Sequence, residues 1–163
     1  MCIRDRSTDA GINQLAATIF PLLIQHERGE ILTNRVLGSQ YTQMSAALQG
    51  RRGEGYIRAV SDLMADSLGT WPYIIEHQAH SLLDFWLAGL QGIRESLLTP
   101  TAFHQQLIHS DQPLNVLADH IEHEQHRWQQ VSKALLQRFQ QEGASFDFKS
   151  VIEQAAYHAD SNQ

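Results

Sequence analysis

A chain of 163 residues with 42% hydrophobic side chains is long enough for one domain with a substantial core. Eighteen acidic against 12 basic residues give a formal charge of −6, and Arg51-Arg52 is the only basic doublet. Such a balance argues against gripping nucleic acid by its phosphates and against adsorption to anionic membranes.

No apolar run approaches the roughly 18 residues of a membrane span, so no transmembrane segment and a cytoplasmic address are expected. The opening Met1-Cys2-Ile3-Arg4-Asp5-Arg6 resembles a translated sequencing-adapter scar and is set apart from fold reasoning, leaving one domain over residues 7–163. Without it the balance is 10 basic against 17 acidic, a charge of −7, and Cys2, the single cysteine, is lost. Disulfides, thiolate zinc sites and cysteine nucleophiles then drop out.

Apolar residues recur at threes and fours almost throughout, and strict alternation is nearly absent, which predicts an all-α fold. An opening helix carries Ile12, Leu15, Ile19 and Leu22 on one face, with Pro21 expected to kink or restart it. A second stretch shows Leu37, Tyr41, Met44 and Leu48 before the Gly50–Gly53 loop. A short third carries Ile57, Val60, Met64 and Leu68, with Gly69 expected to stop it. Thr70 as cap and Pro72 in the first turn predict a long helix, striped by Ile75, Ala79, Leu82, Trp86, Leu90, Ile93 and Leu97. Thr99-Pro100 opens a short helix to about His109. Pro113 starts a long one through Leu117, Ile121, Trp128 and Leu135, which Gly143 ends. A short segment over residues 148–158 closes the chain. The natural architecture is an antiparallel helical bundle of about four long helices with shorter additions.

The polar residues of interest are histidine–carboxylate pairs one helical turn apart. His120 and Glu124 share a side of one helix, and Glu124 falls where the seam from Ile121 to Trp128 calls for an apolar residue. Glu76 and His80 repeat the spacing, with Asp84 a turn further, and His26 and Glu30 do so if the helix continues through Gly29. Imidazole and carboxylate suit iron or another divalent metal, and facing bundle helices bring such pairs together. Solvated pairs of this kind, worth about 0.2–0.5 kcal/mol, are the plainer alternative. The His120/Glu124 spacing resembles one element of hemerythrin-type proteins, but their later His-x-x-x-His element is absent. No Gly-x-Ser-x-Gly elbow, phosphate loop or His-Glu-x-x-His motif occurs, so the reading leans to a non-enzymatic protein.

Between about Trp71 and Gln141 the chain resembles phasins, the helical proteins that coat polyhydroxyalkanoate granules. The likeness rests on the amphipathic Tyr73–Leu98 with Leu82-Leu83-Asp84-Phe85-Trp86, the break at Thr99-Pro100-Thr101 and the Gln-rich Leu114–Gln141. It implies a surface or assembly role without a cofactor. Leu82, Trp86, Leu90, Ile121, Trp128 and Leu135 are then the contact residues, and self-association or a granule surface is the partner. The alternative is a His/carboxylate metal-binding bundle, di-iron and hemerythrin- or ferritin-like, built on His120, Glu124, Glu76, His80, Asp84, His26 and Glu30.

Overall fold

The computed structural model describes residues 6–161, and side chains from residue 11 to residue 160. The proposed scar therefore lies outside the described residues, apart from the backbone of Arg6, which begins the first helix. Every regular element among the described residues is helical, as the periodicity predicts: α1 (Arg6–Ala47), α2 (Glu54–Ala65), a π-helical turn (Asp66–Thr70), α3 (Trp71–Glu76), α4 (His80–Ala88), α5 (Gly92–Leu98), α6 (Ala102–His109), α7 (Pro113–Glu142) and α8 (Phe148–Ser161).

Helix lengths depart from the sequence expectation in two places. The two opening stretches follow each other within α1 and meet at a kink at the non-helical Gly38 (φ 77°), beside Leu37 where the second stretch was expected to begin. Pro21 does not restart it, since the helix runs on through that position. The carbonyl that Pro21 leaves without a donor belongs to Ala17, which is exposed, so solvent satisfies it. Thr18 is not a cap, and its hydroxyl donates to the Gln14 carbonyl one turn back. The expected long helix after Thr70 is broken instead into α3, α4 and α5. Gln78 takes φ 49° between the first two, and the last two are separated by Gly89, Leu90 and Gln91, with Gly92 at φ 61° beginning α5.

Gly69 does not stop a helix either. Helical structure runs from Glu54 to Glu76, with one wide turn at Asp66–Thr70. Pro72 follows directly and has no amide hydrogen to return to the Leu68 carbonyl, so a widened turn is a suitable place to absorb the missing bond. What Gly69 provides is proximity. A Cβ there would collide with the Gln25 carbonyl of α1, and a Cβ on Gly29 would collide with the Ala65 carbonyl. The two backbones meet where neither carries a side chain.

Around this crossing α1 packs on α2 and the π turn, while α7 lies against α1, α2, α3, α6 and α8. Met44, Val60, Leu63, Trp71, Ile74, Leu98, Leu117, Val131 and Leu135 are fully buried between them. Trp71 meets Trp86 edge-on at 5.3 Å, which fixes α4 against α3. The start of α1 stands apart: from Gly11 to Pro21 no side chain is buried, and Leu22 is the first to enter the core.

Replacing Gly69 by Ala should lower the unfolding free energy by about 1–3 kcal/mol, because backbone rather than a flexible side chain must yield. Gly11→Ala, which meets nothing, should raise it by up to ~1 kcal/mol. Urea unfolding of the two variants beside the parent checks both signs.

Candidate functional site

The helix crossing brings together two i,i+4 pairs, His26 and Glu30 from α1 and Asp62 and Asp66 from α2 and the π turn. The helix does continue through Gly29, so His26 and Glu30 share a face, with Nε2 and Oε1 3.7 Å apart. Asp66 is 2% exposed and accepts four side-chain hydrogen bonds. Its Oδ1 accepts from His26 Nδ1 at 2.8 Å and from Thr70 Oγ1 at 2.9 Å. Its Oδ2 accepts from Trp86 Nε1 at 2.9 Å and from Arg94 Nη2 at 2.6 Å. Two oxygens with about four lone-pair sites thus receive four donors, from α1, the π turn, α4 and α5.

His26 is oriented by that network. Its Nδ1–H is committed to a carboxylate that only accepts, so Nε2 is the nitrogen left for other chemistry. The hydrogen bond that His26 donates to Asp66 raises its pKa from the ordinary 6.5, with the Asp66 and Asp62 charges adding to it, against burial and Arg94. Asp62, half-buried, has its carboxyl pushed up mainly by loss of solvent, with Arg94 and His26 pulling it down.

One ligand atom each from His26, Glu30 and Asp62 falls within 4.8 Å of the others, the only such group among the described residues. The group stands at the edge of a cleft of about 370 Å³ between α1 and α2, lined by Glu30, Thr33, Tyr41, Arg58, Ser61 and Asp62 among others. Thr33 is 3% exposed and its hydroxyl has no protein partner. Ser61 donates to the Tyr41 hydroxyl at 3.4 Å.

The other candidates fall elsewhere. Glu76 ends α3 and His80 begins α4, so a turn separates this pair, and Glu76, His80 and Asp84 are exposed. His120 and Glu124 stay on one helix. Glu124 is wholly buried in the seam where the pattern placed it, but neither residue joins a three-ligand group. Of the expected contact residues, Leu82, Trp86, Leu90, Trp128 and Leu135 are buried in the core, and Ile121 packs half-buried against it. These stripes face other helices of the same chain.

Sequence reasoning missed Asp62, Asp66, Thr33 and Arg94. The Asp62/Asp66 spacing was available, but Asp66 lies on the far side of its helix from the Ile57–Val60–Met64 stripe. Only the crossing of α1 over that second face makes it buried.

The chain matches, over residues 4–157, the family described as a family of unknown function (DUF6866), C-terminal domain. No curated protein and no solved structure matches it.

Removing the Asp66 carboxylate leaves its donors, Arg94 included, without their acceptor. Asp66→Ala should therefore cost about 3–5 kcal/mol, read by urea unfolding. Because the folded pKa of His26 is raised, its stabilisation is full below pH 6.5 and lost as pH rises through the folded value. His26→Gln should flatten unfolding free energy against pH across that window, and an unchanged slope would exclude the assignment.

Proposed function

The chain belongs to the DUF6866 C-terminal-domain family, and we propose that it is a divalent-metal-binding helical bundle whose ion sits on His26, Glu30 and Asp62. The observation that carries this reading is the His26 ring, pinned through Nδ1 by a buried carboxylate while Nε2 faces Glu30. A carboxylate behind a ligating histidine is the usual way a metal site fixes the tautomer and raises ligand basicity. One imidazole and two carboxylates suit manganese, ferrous iron or zinc. Three protein ligands would leave room in the shell of an ion held there, and since Glu30 and Asp62 also line the polar cleft, water or a small polar ligand from the cleft would complete it. The π turn supports the reading too, since such bulges are frequent at functional sites. The metal reading of the sequence thus keeps His26 and Glu30, adds Asp62, and sets aside His120, Glu124, Glu76, His80 and Asp84 as ligands of this ion.

Mn²⁺ and Zn²⁺ titrations followed by calorimetry test it. One ion per chain is expected, with release of a proton from His26, so affinity rises with pH through the raised His26 value. Asp62→Asn, which keeps the shape of the side chain, should weaken binding by about tenfold or more. Parent protein that takes up neither metal overturns the reading.

A second reading, association through exposed apolar side chains as in phasins, is favoured by α1 rather than by the stripes first indicated. Ile12, Leu15, Phe20, Leu23, Ile24, Ile31, Leu32 and Val36 are 38–61% exposed on that helix. No charged residue lies between Ala10 and Gln25. Exposed apolar side chains in this number along one helix mark a contact surface for a second copy or a hydrophobic particle. Leu15→Gln combined with Phe20→Gln should reduce self-association in light scattering and retention on polyhydroxyalkanoate granules. Parent protein that stays monomeric and unbound excludes this reading.

A further inference from the structure

A second polar site, away from the His26 cleft, lies where α6, α7 and α8 meet. A pocket of about 300 Å³ is lined there by Phe103, Asp119, His120, Glu124, Arg127 and Asp160, with Ala102 and His123. Glu124 is 0% exposed, and neither carboxylate oxygen has a hydrogen-bond partner. Its nearest cation, Arg127, stands off with Nη1 3.5 Å from Oε1. The same Nη1 is shared with Asp160 at 3.4 Å, and Asp160 also pairs with His123 at 3.2 Å. Burial pushes the Glu124 carboxyl up more strongly than Arg127 pulls it down.

A core position that only had to be filled would gain by being apolar, as the rest of this seam is. The pocket instead presents a buried carboxyl group with both oxygens unpartnered, two exposed acids, Asp119 and Asp160, and an aromatic wall. That wall is Phe103 against the His120 ring, with centroids 5.7 Å apart, and His120 donates its Nδ1–H to the Val116 carbonyl. Acids outnumber the one permanent cation, which is already divided between two of them. An anion would meet repulsion from Asp119 and Asp160. A neutral molecule would leave the lone pairs of Glu124 underused. A primary ammonium group offers three donors and a compact positive charge, and its alkyl stem suits the aromatic wall.

We propose that this pocket binds a small organic ammonium ion, with Glu124 as the buried counter-charge and Asp119 and Asp160 as the acidic rim.

The probe is n-butylammonium chloride titrated into the full chain, with 1-butanol as the uncharged molecule of the same shape. The His120 ring resonances are followed by NMR. Butylammonium should shift them to saturation while butanol leaves them in place. Glu124→Gln should weaken butylammonium binding about tenfold or more, since it removes the buried charge and keeps the side-chain shape. Asp160→Asn, at the exposed rim, should weaken it about threefold. If Glu124→Gln does not fold, Asp160→Asn and Asp119→Asn carry the comparison, both being exposed positions. Equal response to butanol, unchanged affinity in the folded Glu124→Gln variant or in both rim variants, or no response of the parent chain overturns the proposal.

Discussion

The arrangement of this molecule depends on one ionised side chain placed where water does not reach. Asp66 accepts hydrogen bonds from four side chains on four separate segments, and each of these segments is short or interrupted. Helices α4 and α5 are of nine and seven residues, below the length at which a helix is stable by itself. Trp86 and Arg94 tie them to the same carboxylate, so their positions follow from Asp66 as much as from apolar packing. Burying a charge is costly by itself, and the four donors, one of them a guanidinium, offset that cost. The result is a core in which a polar centre sets orientation while Trp71, Leu63 and their neighbours supply cohesion.

Helical class, the Pro113 start, the Gly143 stop and the burial of Glu124 within its seam were all legible in the sequence. They depend on period and punctuation within single helices, which a chain carries locally. The reading failed where a residue's role is set by a neighbour in space. Gly69 reads as a terminator because glycine commonly ends helices, yet here α1 passes so close that no side chain fits. Thr70 reads as a cap, yet its hydroxyl goes to Asp66. The stretch after Trp71 has the stripe of one long helix, and its division into α3, α4 and α5 is a tertiary outcome.

The candidate site was half legible for the same reason. His26 and Glu30 could be named from spacing along one helix, whereas Asp62 becomes their partner only through the crossing. Glu76 and His80 show the reverse case, in which correct spacing spans a turn and the side chains do not share a helix face. A pair one turn apart states that two groups can meet a third. The third group comes from packing, and its identity is not written beside them.

The wide turn at Asp66–Thr70 has a consequence for everything that follows it. A π turn holds one residue more than an α turn needs, so it acts as an insertion that the helix absorbs without ending. One residue corresponds to about 100° of rotation around a helix axis. The faces of the helix before and after the turn are therefore out of phase. Upstream, Asp62 is presented to the cleft beside α1. Downstream, Trp71 and Ile74 are presented to the core. The surplus residue rotates the core-facing Trp71 and Ile74 by about 100° from the line that Ile57, Val60 and Met64 set upstream, so the two halves of one continuous helix meet the core along different sides.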